Sequence, residues 1–571
     1  MTERLSISNI GTKGLNTDIA PWDLPAEFLT YAFNFKISLN SIYSTGGYAD
    51  WASPTAGFNA GFLLAAGANS QNYWIVAGRT KVESFDGLTF TDISSVAGYT
   101  GLGANDELLW TGCVLGGIPI INNPQSVPEY WSPASPGQVM QPLMWDAVDT
   151  WAVKGVSARV IRAHKNFLFA LNISGVTEQP DTYRWSTAAD INGLPYTWDE
   201  TDTAGLAGVA SLGGDGGDIV DGLTLRDSFI IYSRNAIDVL DYTGGEFIWR
   251  RRELSNVIGL LNTNCVVEAN GWHYFISASD VMKTDGTTIV SIIHGSIKRT
   301  FLDALDMTRF RQCFVMHNVN ANEIWFCIPT GGTDYPSLAY VFNWSDESWA
   351  IRDLPNCAFA AFGILYSGPN GPAGLGSDGL GGVGGGVAGP AGSAPTWENW
   401  AGSWKAQSGT WSSGSSGFGT TTTLPDGTLD PGGTPYTYTL QTQFADSPIC
   451  VINSNSALKI LEPTSGITSG TRETVLERTD FPLDGLQQVT TIREVYPKIR
   501  GTSPVSIQFG SQKLPGGEVS WKLPMIFTPG VDRKLNIRST GSLHAWRISS
   551  EGITNWELSG MDFIYEKSGV R

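Results

Sequence analysis

Short apolar runs recur along the chain, each followed by a polar hairpin. Tyr73–Ala77 (YWIVA) precedes Val82–Ser94 (VESFDGLTFTDIS), and Phe229–Tyr232 (FIIY) precedes Ile237–Leu254. Trp272–Ser277 (WHYFIS) precedes Val281–Ile293, and Ile324–Ile328 (IWFCI) precedes Tyr340–Leu354. Asp86-Gly87, Gly244-Gly245 and Asp285-Gly286 sit where the hairpins turn. Such pairs supply the φ > 0 positions of tight turns at low steric cost. Weaker copies begin near Pro119, Asn166 and Pro448. A run such as YWIVA has no polar face, so it predicts a strand covered on both sides, as between neighbouring blades. Units of three or four strands repeating every 35–50 residues or so predict a β-propeller. The count suggests six or seven blades; a pair of large β-sandwiches is the alternative.

The rhythm stops between 368 and 435, where 20 residues are Gly and only one is Lys. The stretch GPNGPAGLGSDGLGGVGGGVAGPAG cannot bury enough apolar surface to offset its ordering entropy, which predicts a flexible insertion. Behind it, Trp397, Trp404 and Trp411 stand seven residues apart, each after Ser or Thr. Gly and Ser fill the spacers, so the period is not a coiled coil. Indoles pegging the returning chain onto the body explain the pattern better than sugar stacking or membrane contact. The expected organisation is an N-terminal segment joining the propeller (1–57), blades (58–367), the Gly/Trp-rich insertion (368–435), a last blade (436–475) and a C-terminal, sandwich-like β module (476–571).

Charge narrows the partners. The chain of 571 residues carries −18, but residues 476–571 hold 12 Lys/Arg against 10 Asp/Glu, leaving −20 on the rest. An acidic body argues against ordinary nucleic-acid binding and against adhesion to anionic membranes. The six cysteines (113, 265, 313, 327, 357, 450) form no CxxC pair, which suggests small buried hydrophobes in a reducing compartment. No signal peptide or membrane-spanning helix is expected.

Catalytic patterns are missing from the sequence. The five histidines form no HExxH or close pair, and neither GxSxG nor GxxxxGK[ST] occurs. Asp215, Asp218 and Asp221 in GGDGGDIVDG are spaced unlike an EF-hand, so a Gly-rich turn is the better reading than a calcium loop. No enzyme activity, metal or cofactor is expected. Arg250, Arg251 and Arg252 form the densest basic run. On a strand they alternate faces; ion pairing with acidic surroundings competes with a role in gripping a polyanion or a neighbouring subunit.

Two stretches carry a family likeness: Asp215–Gly286, and Leu476–Ile499 continuing through FGSQ (509–512), WKLPMIFTPG (521–530) and WELSGMDFIYEKSGVR (556–571). Both resemble the tail nozzle proteins of short-tailed bacteriophages, also called tail tubular protein B or packaged-DNA stabilisation proteins. Asp18–Ile37 resembles that family's N-terminal segment, and the Trp-spaced run sits where relatives carry a similar one. Gly541-Ser542 departs from the family's Gly-Arg. The resemblance implies a structural virion protein of the phage tail, made in the bacterial host cytoplasm. Six copies would form a ring below the portal and the adaptor of the head-tail connector. That ring would contact tail fibres or tailspikes, retain packaged double-stranded DNA and conduct it during ejection without sequence specificity. The alternative is a glycan-binding or glycan-cleaving propeller.

Overall fold

Alternate residues of Ser228–Ser233 face opposite ways, and both sides are covered. Phe229 and Ile231 pack with Phe169, Leu171 and Tyr183, whereas Ile230 and Tyr232 pack with Tyr274, Phe275 and Ile276. This is why the strand reads as a continuous apolar run. The computed structural model describes residues 2–364 and 446–570, apart from 46, 56–59, 69–70, 88, 100–109, 133–138, 176, 191–192, 203–204, 215, 246–247, 453–456, 462–472 and 553.

Seven four-stranded antiparallel blades are present among these residues. Blade one spans 60–92, two 111–142, three 157–211, four 219–255, five 266–291 and six 314–353. Their innermost strands are Ala60–Ala68, Thr111–Leu115, Ser157–His164, Ile219–Leu225, Val266–Ala269 and Phe314–Asn318. Each abuts the next, and Cys357–Ile364 of blade seven returns to Ala60–Ala68, closing the ring. The protein is a β-propeller. Tight hairpins use left-handed pairs where two-residue turns demand them: Gly116-Gly117 (φ 57° and 80°) and Asn270-Gly271 (φ 51° and 76°).

Blade seven is built from distant pieces. Cys357–Ile364, Asp446–Ile452 and Leu458–Leu461 supply three strands, and Tyr48–Ala52 from the N-terminal region supplies the outermost. The chain thus fastens its ring with a strand from its own beginning, and the Gly/Trp-rich stretch falls between the first two strands of one blade. The last blade therefore begins at Cys357, well before 436.

The C-terminal region is a sandwich of two six-stranded sheets. One runs Leu535–Gly541, Gln488–Gly501, Trp556–Val570, Ser41–Ser44 and Phe35–Ser38, with Thr2–Ile7 also on Trp556–Val570. The other runs Ser520–Trp521, Val505–Gln512, Leu543–Glu551, Glu473–Phe481 and Tyr31–Phe33, with Met525–Phe527 also on Val505–Gln512. The N-terminal segment therefore divides. Gly14–Leu15 and Phe28–Leu29 extend blade six, Tyr48–Ala52 closes blade seven, and the other strands complete the sandwich.

The sandwich is not a detached module. A single apolar core joins Phe314, Trp325 and Cys357 of the propeller to Trp546, Met561 and Phe563. Buried Arg352 of blade six donates to Phe35 O (3.1 Å) while pairing with Glu323 (2.6 Å) over the face of Trp325. Breaking such a pair would leave an uncompensated buried charge, so this junction is held in one arrangement.

Candidate functional site

One side chain ties the inner strands of neighbouring blades together. Arg162 lies on the inner strand of blade three and reaches Asp221 on the inner strand of blade four, which is fully buried. Arg162 Nε donates to Asp221 Oδ1 (2.9 Å) and Nη2 to Oδ2 (2.8 Å). The same guanidinium donates to Gly112 O of blade two (3.0 Å) and to Asn264 Oδ1 at the entry to blade five (2.8 Å). Asn264 N donates to Asp221 Oδ2 (2.8 Å), and Asn264 Nδ2 to Trp110 O (3.1 Å). Four blades are thus tied by one planar fork, the geometry for which Arg is better suited than Lys. Burial alone would lower the Arg162 pKa, but the Asp221 carboxylate outweighs it and the net shift is upward. Asp221 was a conceivable calcium ligand in the sequence. Its oxygens are instead filled by guanidinium and backbone N–H donors. Asp215 lies outside the described residues.

The histidines serve as stitches between strands. The Thr224 hydroxyl donates to Ala163 O (3.2 Å) and is contacted by His164 Nδ1 (3.0 Å). Thr224 O lies 2.9 Å from His273 Nε2, and His273 Nδ1 lies 2.8 Å from the Tyr232 hydroxyl. That pattern fits a neutral His273 carrying its proton on Nε2. Burial, the dominant cause in each case, lowers the pKa of His164, His273 and His544 to about 4. No group of three or more His, Cys, Asp or Glu side chains suited to a metal ion occurs among the described residues. The described cysteines are unbridged; Cys265, Cys313, Cys327 and Cys357 are buried, and Cys113 is partly so.

The arginine run lies elsewhere. Trp249–Ser255 is the outermost strand of blade four, so Arg250–Arg252 occupy the rim of the propeller rather than its axis. Arg251 pairs with Asp238 (2.8 Å) and Arg252 with Asp241 (3.0 Å), both on the neighbouring strand of the blade. Arg250 lies opposite Asp241 in register and is exposed. Two of the three arginines are thus paired within the blade while their guanidinium edges stay partly accessible. Trp397, Trp404 and Trp411 lie outside the described residues.

Sequence reasoning passed over Arg162 and Arg352. A lone arginine in an apolar strand matches no motif, and its carboxylate partner lies 59 residues away for Arg162. The one available signal is the charge itself: an Arg or Asp inside a predicted two-sided buried strand has to find a partner.

No family model and no curated protein matches this sequence. Among solved structures, the chain is similar to the WD40 domain of Neurospora crassa Pan2, at 9% identity and a TM-score of 0.31, over 56% of this chain and 89% of that one. It is also similar to the extracellular domain of the one component system BT4673 from B. thetaiotaomicron, at 11% identity and a TM-score of 0.24. That alignment covers 51% of this chain and 39% of the other. At these values neither match bears on function.

Proposed function

We propose that this chain is a structural virion protein, the nozzle of a short phage tail, acting as a ring of six copies below the portal and adaptor. The observation that carries the reading is where the family likeness falls. Asp215–Gly286 covers blade four and three strands of blade five, and 476–571 is most of the sandwich, so the likeness falls on both the propeller and the sandwich.

The conduit of this reading lies between copies, as the implied ring of six requires. A ring at −18 per chain would present acidic or neutral walls to DNA. Such walls repel phosphates and prevent adhesion, which suits a conduit under pressure better than a binder. Within that reading Arg250–Arg252 are the candidate grip on the genome, since a rim position can face a lumen formed by neighbouring copies. Arg162, Asp221, His164 and His273 are engaged in structural bonds, as suits a part that holds and guides.

Native mass spectrometry of the purified full chain tests the proposal. A closed six-chain species supports it. A chain that remains single in solution and in isolated tails contradicts it.

A further inference from the structure

The distal edge of the sandwich exposes apolar side chains in a positively charged setting. The second sheet begins with Tyr31–Phe33, beside blade six, where Asn34 N donates to Ile351 O (2.8 Å). It ends four strands away at Ser520–Trp521 and Met525–Phe527, both paired to Val505–Gln512. Along that far edge Leu514, Leu523 (86% exposed), Ile526 (64%) and Val531 face solvent. Between 513 and 538 there are five Lys or Arg and two acids. Pro524 interrupts the edge between its two short strands and Lys522 flanks it, so strand addition is blocked and side chains alone can dock.

Blade three carries the opposite surface. Trp145, Trp151 and Trp198 stack edge to face at 5.0–5.2 Å and hold the segments 144–154 and 196–200 together. Trp185 Nε1 donates to Leu206 O (2.8 Å), bringing in the loop before the outer strand. Over this cluster Val148 (83% exposed), Val153 (68%), Tyr196 and Leu206 are presented to solvent. From 185 to 211 there are four acids (Asp190, Asp199, Glu200, Asp202) and no Lys or Arg. Arg184 pairs with Glu200 from just outside that stretch.

The sandwich merges with blades six and seven, and blade three stands half a ring away from that boundary. The two surfaces are therefore separate, one on the sandwich and one on the propeller. They match in apolar character and oppose in charge. We infer that the sandwich edge around Leu523 and Ile526 docks on the blade-three face around Tyr196 and Leu206 of a second copy. Two bodies of charge −20 repel, so the approach of least repulsion brings the +2 C-terminal region of one against the body of the other. A contact between different surfaces is head-to-tail, the kind that closes into a ring when the rotation allows. The inference deepens the ring reading and depends on it only for the number of copies.

Sedimentation of the full chain at low salt tests this with three variants. Leu523→Asp with Ile526→Asp on the edge, and Tyr196→Lys with Leu206→Lys on the face, should each weaken self-association by on the order of tenfold or more. All four changes in one chain should restore it, because an acidic edge then meets a basic face. All sites are exposed, so the thermal transition should not move. Wild-type chains that stay single, an edge or face variant that associates unchanged, or a four-change chain that stays apart overturns the docking surface. Six-fold rings persisting in tails of unaffected variants would leave the ring reading standing and this interface wrong.

Discussion

Replacing Arg162 by Met would remove the guanidinium while keeping most of its aliphatic volume between the inner strands. Four hydrogen bonds disappear, two to Asp221 and one each to Gly112 O and Asn264 Oδ1. Asp221 stays fully buried, held only by the N–H groups of Gly222 and Asn264. A buried charge left without its partner costs about 3–5 kcal/mol, a large share of a typical stability of about 5–15 kcal/mol. Urea unfolding followed by circular dichroism and by Trp fluorescence measures the loss, with coincident transitions required before the two are treated as one equilibrium. Adding Asp221→Asn in the same chain removes the stranded charge and retains an acceptor, so it should recover about 1–3 kcal/mol. A single replacement costing less than about 1 kcal/mol, or a second replacement that adds to the loss, would refute the clasp.

Acid should act through the buried histidines. His164, His273 and His544 titrate near 4 when folded against an unfolded value near 6.5, so the unfolded chain takes up protons first. Their neutral burial is without penalty above pH 6.5, and stability falls from there down to pH 4. The loss reaches about 2 kcal/mol for each by pH 5, and a urea midpoint unchanged between pH 7 and 5 would contradict it. Deleting Gly371–Gly392 should leave the cooperative transition intact, since loop length contributes only about 0.6 kcal/mol per doubling; loss of the transition would make the stretch structural. Trp404→Ala should cost roughly 3–5 kcal/mol if the indole is a buried peg, and a negligible shift in melting temperature would assign it to binding. Changing Arg250, Arg251 and Arg252 to Gln should leave assembly intact while filled particles leak DNA in a salt-dependent way; unchanged retention would end the grip reading.

The propeller was legible because its strands are covered on both faces and its turns need φ > 0, and both demands leave local marks. Asn270-Gly271 and FIIY are such marks. Ring closure by Tyr48–Ala52 was not legible, because strand pairing across some 400 residues leaves no local trace at either end. The split of the N-terminal segment was hidden for the same reason: YAF (31–33) and FKIS (35–38) are adjacent in sequence but enter different sheets. Asn34 makes the crossing with φ 56°, a conformation Asn tolerates better than most residues. Arg250–Arg252 stood out as a run, and ion pairing within the blade, the plainer of the two readings, is what Arg251 and Arg252 adopt. The clasp around Arg162 joins residues from four consecutive blades, so only their stacking assembles it.

Class-averaged electron micrographs of the purified full chain and of isolated tails decide whether copies of this chain enclose a conduit. A nozzle gives end views of a six-fold ring with a central opening, in which each propeller lies off the ring axis and the opening is bounded by several copies. Single particles without an opening, or a passage running through one propeller's own axis, would contradict it.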